Sequence, residues 1–189
     1  MANQNKVRFG LKNVYYAIYT VSYDASNNPT YTYSTPVKIN GAVSLDLDNE
    51  NESTEFFADD VNYYNQSQNN GYSGSLEVAE IPETMYTDVW GEEKDANGVF
   101  VEKTSDITKN IALMYQISGD DHAVGHLLYN VALSKPNMGG ETMEGSRDPQ
   151  TYTMDMSATA LPTGELHAHT GSESVEQLAN WFKTVYRTT

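Results

Sequence analysis

The chain has 189 residues, with 11 Lys and Arg against 26 Asp and Glu and no cysteine. Its length is that of one ordinary domain, which can bury roughly 70% of the unfolded chain's surface without staples. The missing cysteine excludes disulfides, thiolate metal sites and cysteine nucleophiles, and a net charge of −15 excludes the basic footprint of a nucleic-acid binder. The N-terminal MANQNKVRFG holds no apolar stretch of the signal-peptide kind. No run approaches the ~18 apolar residues of a membrane span.

In chain order, the first 12 residues form a basic arm with Lys6, Arg8 and Lys12. Fourteen tyrosines and many Thr and Val then favour strands over helices. NVYYAIYTVSY (13–23) reads as a strand, followed by the loop DASNNPT. YTYSTPVKI (31–39) reads as an edge or bulged strand, because Pro36 cannot donate to a ladder. In GAVSLDLD, Val43, Leu45 and Leu47 alternate with Ser44, Asp46 and Asp48. Residues 49–71 read as a long polar loop. In YSGSLEVA, Tyr72, Leu76 and Val78 alternate with Ser73, Ser75 and Glu77. PETMYTDVWG reads as a helix, with Pro82 at its start, Glu83 near the positive dipole end and Gly91 past its end. IALMYQI and HLLYNVAL are apolar on both faces and read as central strands around the turn GDDHAVG. After a second polar connection (136–150), Tyr152, Met154, Met156 and Ala158 alternate with Thr151, Thr153, Asp155, Ser157 and Thr159. Such alternation marks antiparallel strands with one buried and one wet face. Residues 172–186 read as a C-terminal helix, with Val175, Leu178, Trp181, Phe182 and Val185 on one stripe and Ser172 or Ser174 as cap. The 189 residues are expected to form a single domain.

Charge is unevenly spread. No Lys or Arg occurs between Lys38 and Lys94, an interval with thirteen Asp and Glu. DLDNENESTEFFADD (46–60) alone holds seven: Asp46, Asp48, Glu50, Glu52, Glu55, Asp59 and Asp60. Residues 1–40 run the other way, with Lys6, Arg8, Lys12 and Lys38 against Asp24. The plain reading is a solvated acidic face. The sharper one is charge-complementary self-assembly, or a surface that must not hold a polyanion.

The acidic run does not fit a calcium loop: Glu50 is too long for its place, Asn51 replaces the glycine and Phe57 the bidentate Glu. His122 and His126 are four apart in a glycine-containing turn. His167 and His169 would point to one side of a strand, yet neither spacing places a third ligand. GYSGS lacks the nucleophile-elbow spacing, no phosphate loop is present, and nothing singles out a glycosidase pair among the carboxylates. No catalytic residue, cofactor or metal is assigned.

Several phrases together carry a resemblance: KVRFGLKNVYYA, GAVSLDLDNE, TEFFADDVNYY, NNGYSGSLEVAEIPE, DVWGEEKDANGVFVE, ALMYQISGDD, HLLYNVALSKP and LANWFKTVY. Their order resembles the major tail protein of long, non-contractile-tailed bacteriophages of Gram-positive hosts, across nearly the whole chain. Lys135 stands where the family often has an arginine before the proline. The resemblance implies a mostly β, antiparallel sandwich or barrel of the tail-tube type with a flanking helix and a C-terminal helix. It implies a structural virion protein, not an enzyme, that closes into hexameric rings. The rings stack into a DNA-conducting tube, meeting tail-tip or baseplate, tape-measure and tail-terminator proteins after assembly in the host cytoplasm. On that basis Ser44, Asp46, Asp48, Ser73, Ser75, Glu77, Thr151, Thr153, Asp155 and Ser157 are expected to face the lumen. Lys6, Arg8, Lys12, Glu50, Glu52, Glu55, Asp59 and Asp60 are expected at ring-to-ring contacts. The alternative reading is a carbohydrate-binding or host-adhesion sandwich with exposed tyrosines as a stacking platform, and a third is a metal-assisted hydrolase.

Overall fold

A computed structural model describes residues 5–27, 29–140 and 149–187. The strands are β1 (Arg8–Tyr23), β2 (Pro29–Tyr33), β3 (Val37–Ile39), β4 (Ala42–Ala58), β5 (Val61–Val78), β6 (Glu93–Lys94), β7 (Phe100–Val101), β8 (Ile111–Gly119), β9 (Val124–Leu133), β10 (Tyr152–Ala158) and β11 (His167–His169). Two short helices, α1 (Glu83–Asp88) and α2 (Val175–Asn180), complete the described elements. The main sheet runs β2-β1-β8-β9-β10-β5-β4, with β3 on β1 and β11 on β9. Every pairing is antiparallel. The expectation of a mostly β, antiparallel fold with few helices holds.

Period-two alternation splits the side chains between two cores. The larger takes Val14 and Tyr16 from β1, Leu76 and Val78 from β5, Ile111 and Leu113 from β8, and Met154 and Met156 from β10. The sheet curls far enough for β1 and β4 to approach each other. Met85 of α1, with Val89 and Trp90 just past it, closes this core. Tyr16 and Thr84 share a hydrogen bond of 2.7 Å, and the Trp90 indole donates to the Leu133 carbonyl at 3.3 Å. Pro82 caps α1 with extended ψ, and Gly91 follows at φ 76°, as the sequence pattern requires. The smaller core packs Ala17, Ala112, Met114, Leu127 and Tyr129 under Trp181. β8 and β9 are therefore apolar on both faces because both faces are covered.

Four expectations need correction. Residues 31–39 are two strands, since Pro36 separates β2 from β3. Val43 is exposed, because a register shift between Ala42 and Ser44 throws it out of the alternation. The C-terminal helix spans only Val175–Asn180; turns carry the chain on, and they still bury Trp181. The basic segment is not a free arm in its described part. Arg8 and Lys12 lie on β1, and Asn5 and Lys6 are tied to the β8–β9 turn. There the Asn5 amide donates to the His122 carbonyl at 2.7 Å, and the Lys6 N–H donates to Asp120 Oδ1 at 2.8 Å.

Lys135 bonds Glu92 and, at 2.8 Å, Glu102. Burial lowers its pKa, but the hydrogen bonds to Glu102 and Glu92 outweigh this and leave it raised. Glu92 is buried, so this cation offsets a charge that water cannot reach.

Gly74 lies in the part of β5 that pairs with both β4 and β10, and the β4 backbone approaches it closely. A Cβ there would lie 1.9 Å from the Asp46 carbonyl oxygen of β4. The contact is with backbone, so relief requires the ladder to shift. Gly74→Ala is expected to lower stability by about 2 kcal/mol or more, read as a melting-temperature drop of roughly 4–8 °C.

Candidate functional site

The register places the sequence-selected polar residues of β4, β5 and β10 on one surface. Ser44 lies opposite Glu77, which lies opposite Thr153. Asp46, Ser75 and Asp155 form the next row; Asp48, Ser73 and Ser157 form the third. Thr151 completes the set, donating from Oγ1 to Glu77 Oε1 at 2.6 Å, while Ser44 Oγ donates to Oε2 at 3.0 Å. These bonds, from Thr151 first and then Ser44, hold the Glu77 carboxyl below its usual range. The pattern keeps like charges apart. No two carboxylates face each other across a ladder, because Ser75 separates Asp46 from Asp155 and Glu77 stands between Ser44 and Thr153. No Lys or Arg occurs anywhere on the three strands. The reverse face carries Leu76, Val78, Met154 and Met156, all buried, with Leu45 and Leu47 packed against them.

Residues 49–71, expected as a loop, are instead the outer part of the β4–β5 hairpin. β10 pairs with β5 only over Tyr72–Val78, so beyond Asn49 and Tyr72 the two arms have only each other. They run about 30 Å to a two-residue turn. Asp59 (φ 52°) and Asp60 (φ 61°) occupy that turn with the paired positive φ of type I′. From Asn49 to Asn70 every residue is exposed except half-buried Ala58. Charge sits on one arm only: Glu50, Glu52 and Glu55 are on β4, while 61–70 of β5 carries none. The tip exposes Phe56, Phe57, Val61, Tyr63 and Tyr64, each 51–75% accessible. Glu50 marks the root, where the Ser73 hydroxyl donates to it.

The expected stacking residues are not brought together within one chain. Among the described residues, none of the seven carboxylates of 46–60 joins an ion pair, and neither do Lys6, Arg8, Lys12 and Lys38. β4 ends the strand order and β1 lies next to its other end, so no ladder joins the two sets. The sequence reading missed the ribbon and its aromatic tip; the Asp59–Asp60 pair between Ala58 and Val61 is the one local signal for that turn.

The tyrosines do not build a single platform. Tyr16, Tyr115 and Tyr129 are buried, and Tyr15 stacks on Phe182 at 4.9 Å. Tyr31 and Tyr33 line an open groove of about 680 Å³ with Lys183 and Arg187.

The histidines regroup across the sequence pairs. Pairing of β11 with β9 sets His167 and His169 beside His126, while His122 stays in the turn. His126 Nδ1 and His167 Nε2 are 3.1 Å apart, and the three rings stack nearly parallel with centroids 5.3–5.9 Å apart. Stacked rings direct their nitrogens along parallel planes, not onto a shared point. Among the described residues no group of three or more His, Cys, Asp or Glu is placed to hold a metal ion. His126 is buried with Nε2 unpartnered. Burial first, then His167, His169 and Arg8, push its pKa down to about 4. A histidine kept neutral in the fold stabilises it fully above the free-imidazole pKa and loses that contribution as pH falls. The melting temperature is expected to fall between pH of about 6.5 and about 4. His126→Phe, which keeps a ring in the stack, should flatten the decline above pH of about 5, before carboxylates protonate.

A search of curated proteins returns no match. Among solved structures, the cryo-electron-microscopy cap that terminates the anti-feeding prophage tube is similar over 89% of this chain and 96% of that one. The TM-score is 0.40 and the identity 12%. A family model described as phage tail tube protein matches residues 3–178. The chain belongs to the phage tail tube protein family.

Proposed function

We propose that this chain polymerises as stacked hexameric rings into the tube of a long, non-contractile phage tail. In this reading, the polar face of β4, β5 and β10 lines the channel through which DNA is ejected. Family membership supports a structural tail protein that self-assembles. The observation that carries the finer reading is that face itself: three register-locked strands offering only Ser, Thr, Asp and Glu around Gly74, with no cation. Affinity for duplex DNA comes largely from Lys and Arg displacing phosphate counterions. A wall without them removes that attraction and adds repulsion, so DNA slides without sticking. The role is structural, with no catalytic step. Rings assembled in the host cytoplasm would meet tail-tip or baseplate, tape-measure and tail-terminator proteins, and the whole 189-residue chain would act as one tail-tube domain.

The test substitutes the bore. Asp46 and Asp155 are exposed and unpaired, whereas Glu77 accepts two hydrogen bonds and is a poorer site for reversal. Asp46→Lys with Asp155→Lys should leave the subunit folded, since exposed changes cost within about 0.5 kcal/mol. Tubes of the variant should retain duplex DNA, release it as salt rises, and slow genome ejection. Wild-type protein that forms neither rings nor tubes at any salt or concentration would overturn the tube. Tubes in which this face points outward would overturn the bore.

A further inference from the structure

We propose that β11 is an acid-sensitive latch, closed on β9 while the paired rings of His126 and His167 are neutral and released locally, ahead of global unfolding, once both gain protons. The latch belongs to the folded subunit and does not depend on the tube. β8 and β11 both pair with β9 at His126–Leu128, so they occupy its opposite edges. β10 shares the β11 edge but pairs only at Val131–Leu133. β11 is three residues long, and β9 is its one partner among the described strands. Bonds at its two ends hold it. The Tyr129 N–H donates to the Leu166 carbonyl at 3.2 Å and the Thr170 N–H to the Gly125 carbonyl at 2.9 Å. The Gly125 N–H donates to Thr170 Oγ1 at 2.9 Å. A short element hung on few bonds opens at the low end of a protein's local stabilities.

The rings make this opening depend on protons. Tyr115 of β8 stacks on His126 at 4.9 Å, and Tyr72, at the root of the ribbon, meets His167 edge-on at 6.1 Å. The 3.1 Å contact between His126 Nδ1 and His167 Nε2 needs one donor and one acceptor. A proton on each ring leaves two N–H groups facing each other. Protonated His126 also carries N–H at Nε2, which is buried without a partner among the described residues. The neighbouring charges oppose protonation further. His169 and Arg8 act on His126, His169 acts on His167, and no carboxylate is among them. Glu165, two residues before β11, is 3.8 Å from Arg187 and acts on Tyr129 of the smaller core. Trp181, also of that core, meets the strand through the His126 carbonyl at 3.2 Å. In the closed latch burial first, then the neighbouring histidines, lower both ring pKa values. The closed form is therefore favoured above the free-imidazole value of 6.5 and loses that preference as pH falls. With His126 at about 4 when closed, its titration alone makes opening about thirtyfold more frequent at pH of about 5 than at neutral pH.

Amide hydrogen exchange, taken as protection relative to the intrinsic rate at each pH, reads the latch directly. Between pH of about 7.5 and about 5, protection over 166–170 should fall about thirtyfold or more while β8 keeps its own. His126→Phe keeps a ring in the stack but cannot take a proton, so the fall should shrink. His169 is exposed, and His169→Glu sets a carboxylate beside both rings. That variant should shrink the fall as well, because the closed form then tolerates the protons. Unchanged protection over 166–170 at the lower pH would overturn the latch. A loss shared equally by β8 would overturn it too, since that is global unfolding. So would a full thirtyfold fall in either variant, with the fold verified by circular dichroism.

Discussion

The ladder that ties β5 to β4 on one side and to β10 on the other constrains the rest of the molecule. Its register decides which side chains enter the core, and a slip of one residue would exchange Leu76, Val78, Met154 and Met156 for Ser75, Glu77, Thr153 and Asp155. The buried face resists that slip, because charged groups without partners would enter an apolar core. The wet face is thereby fixed as a by-product of packing. Gly74 lets the β4 backbone approach closely at the centre of this ladder, and serines across from aspartates keep the carboxylates from facing one another. Core formation and the chemistry of the polar face are two consequences of one register.

The same ladder defines where the ribbon starts. β10 ends its pairing at Tyr72, and Gly71 next to it takes φ 129°, where a Cβ would lie 2.1 Å from the Ala158 carbonyl oxygen. Beyond that bend the two arms of the hairpin have neither a third strand nor a core beneath them. Their backbone bonds and a type I′ turn define the ribbon's path, but hydrophobic burial within the chain contributes little. Exposed aromatics at the tip and uncompensated carboxylates on one arm are costs to an isolated subunit. They become favourable only against a surface that covers the one and neutralises the other, which is the physical basis for reading the ribbon as an assembly element.

Legibility in the sequence followed from burial. Residues 44–48, 72–78 and 151–158 alternate because one face is packed and the other wet, and that contrast is written directly in residue type. β8 and β9 were recognisable as central because both their faces are covered. α1 was bracketed by Pro82 and Gly91, each with a backbone reason to sit where it does. The ribbon was not legible, because with both faces in water nothing selects an apolar–polar alternation, and Asp59–Asp60 is a weaker turn signal than Asn-Gly. β1 reached back into the basic segment because its partner β8 is a hundred residues away in sequence, beyond any local pattern. The histidine stack was hidden for the same reason: His126 and His167 meet only because β11 pairs with β9.

One charge-dense stretch, 46–60, turns out to contain two kinds of carboxylate. Asp46 and Asp48 stand on the polar face, held at fixed spacing by the ladder and separated from Asp155 by serines. Glu52, Glu55, Asp59 and Asp60 stand on the ribbon, away from that face. Glu50 sits at the junction, accepting from Ser73. The two groups answer to different physics. Carboxylates of the face stand in one field with no cation on the three strands, so in the proposed tube they would act together on a polyanion. Carboxylates of the ribbon have no cation beside them among the described residues and stand clear of the core, so what they can act on lies outside the described chain. Both groups stand on one continuous strand, and the register shift between Asn49 and Asn51 divides the polar face from the ribbon.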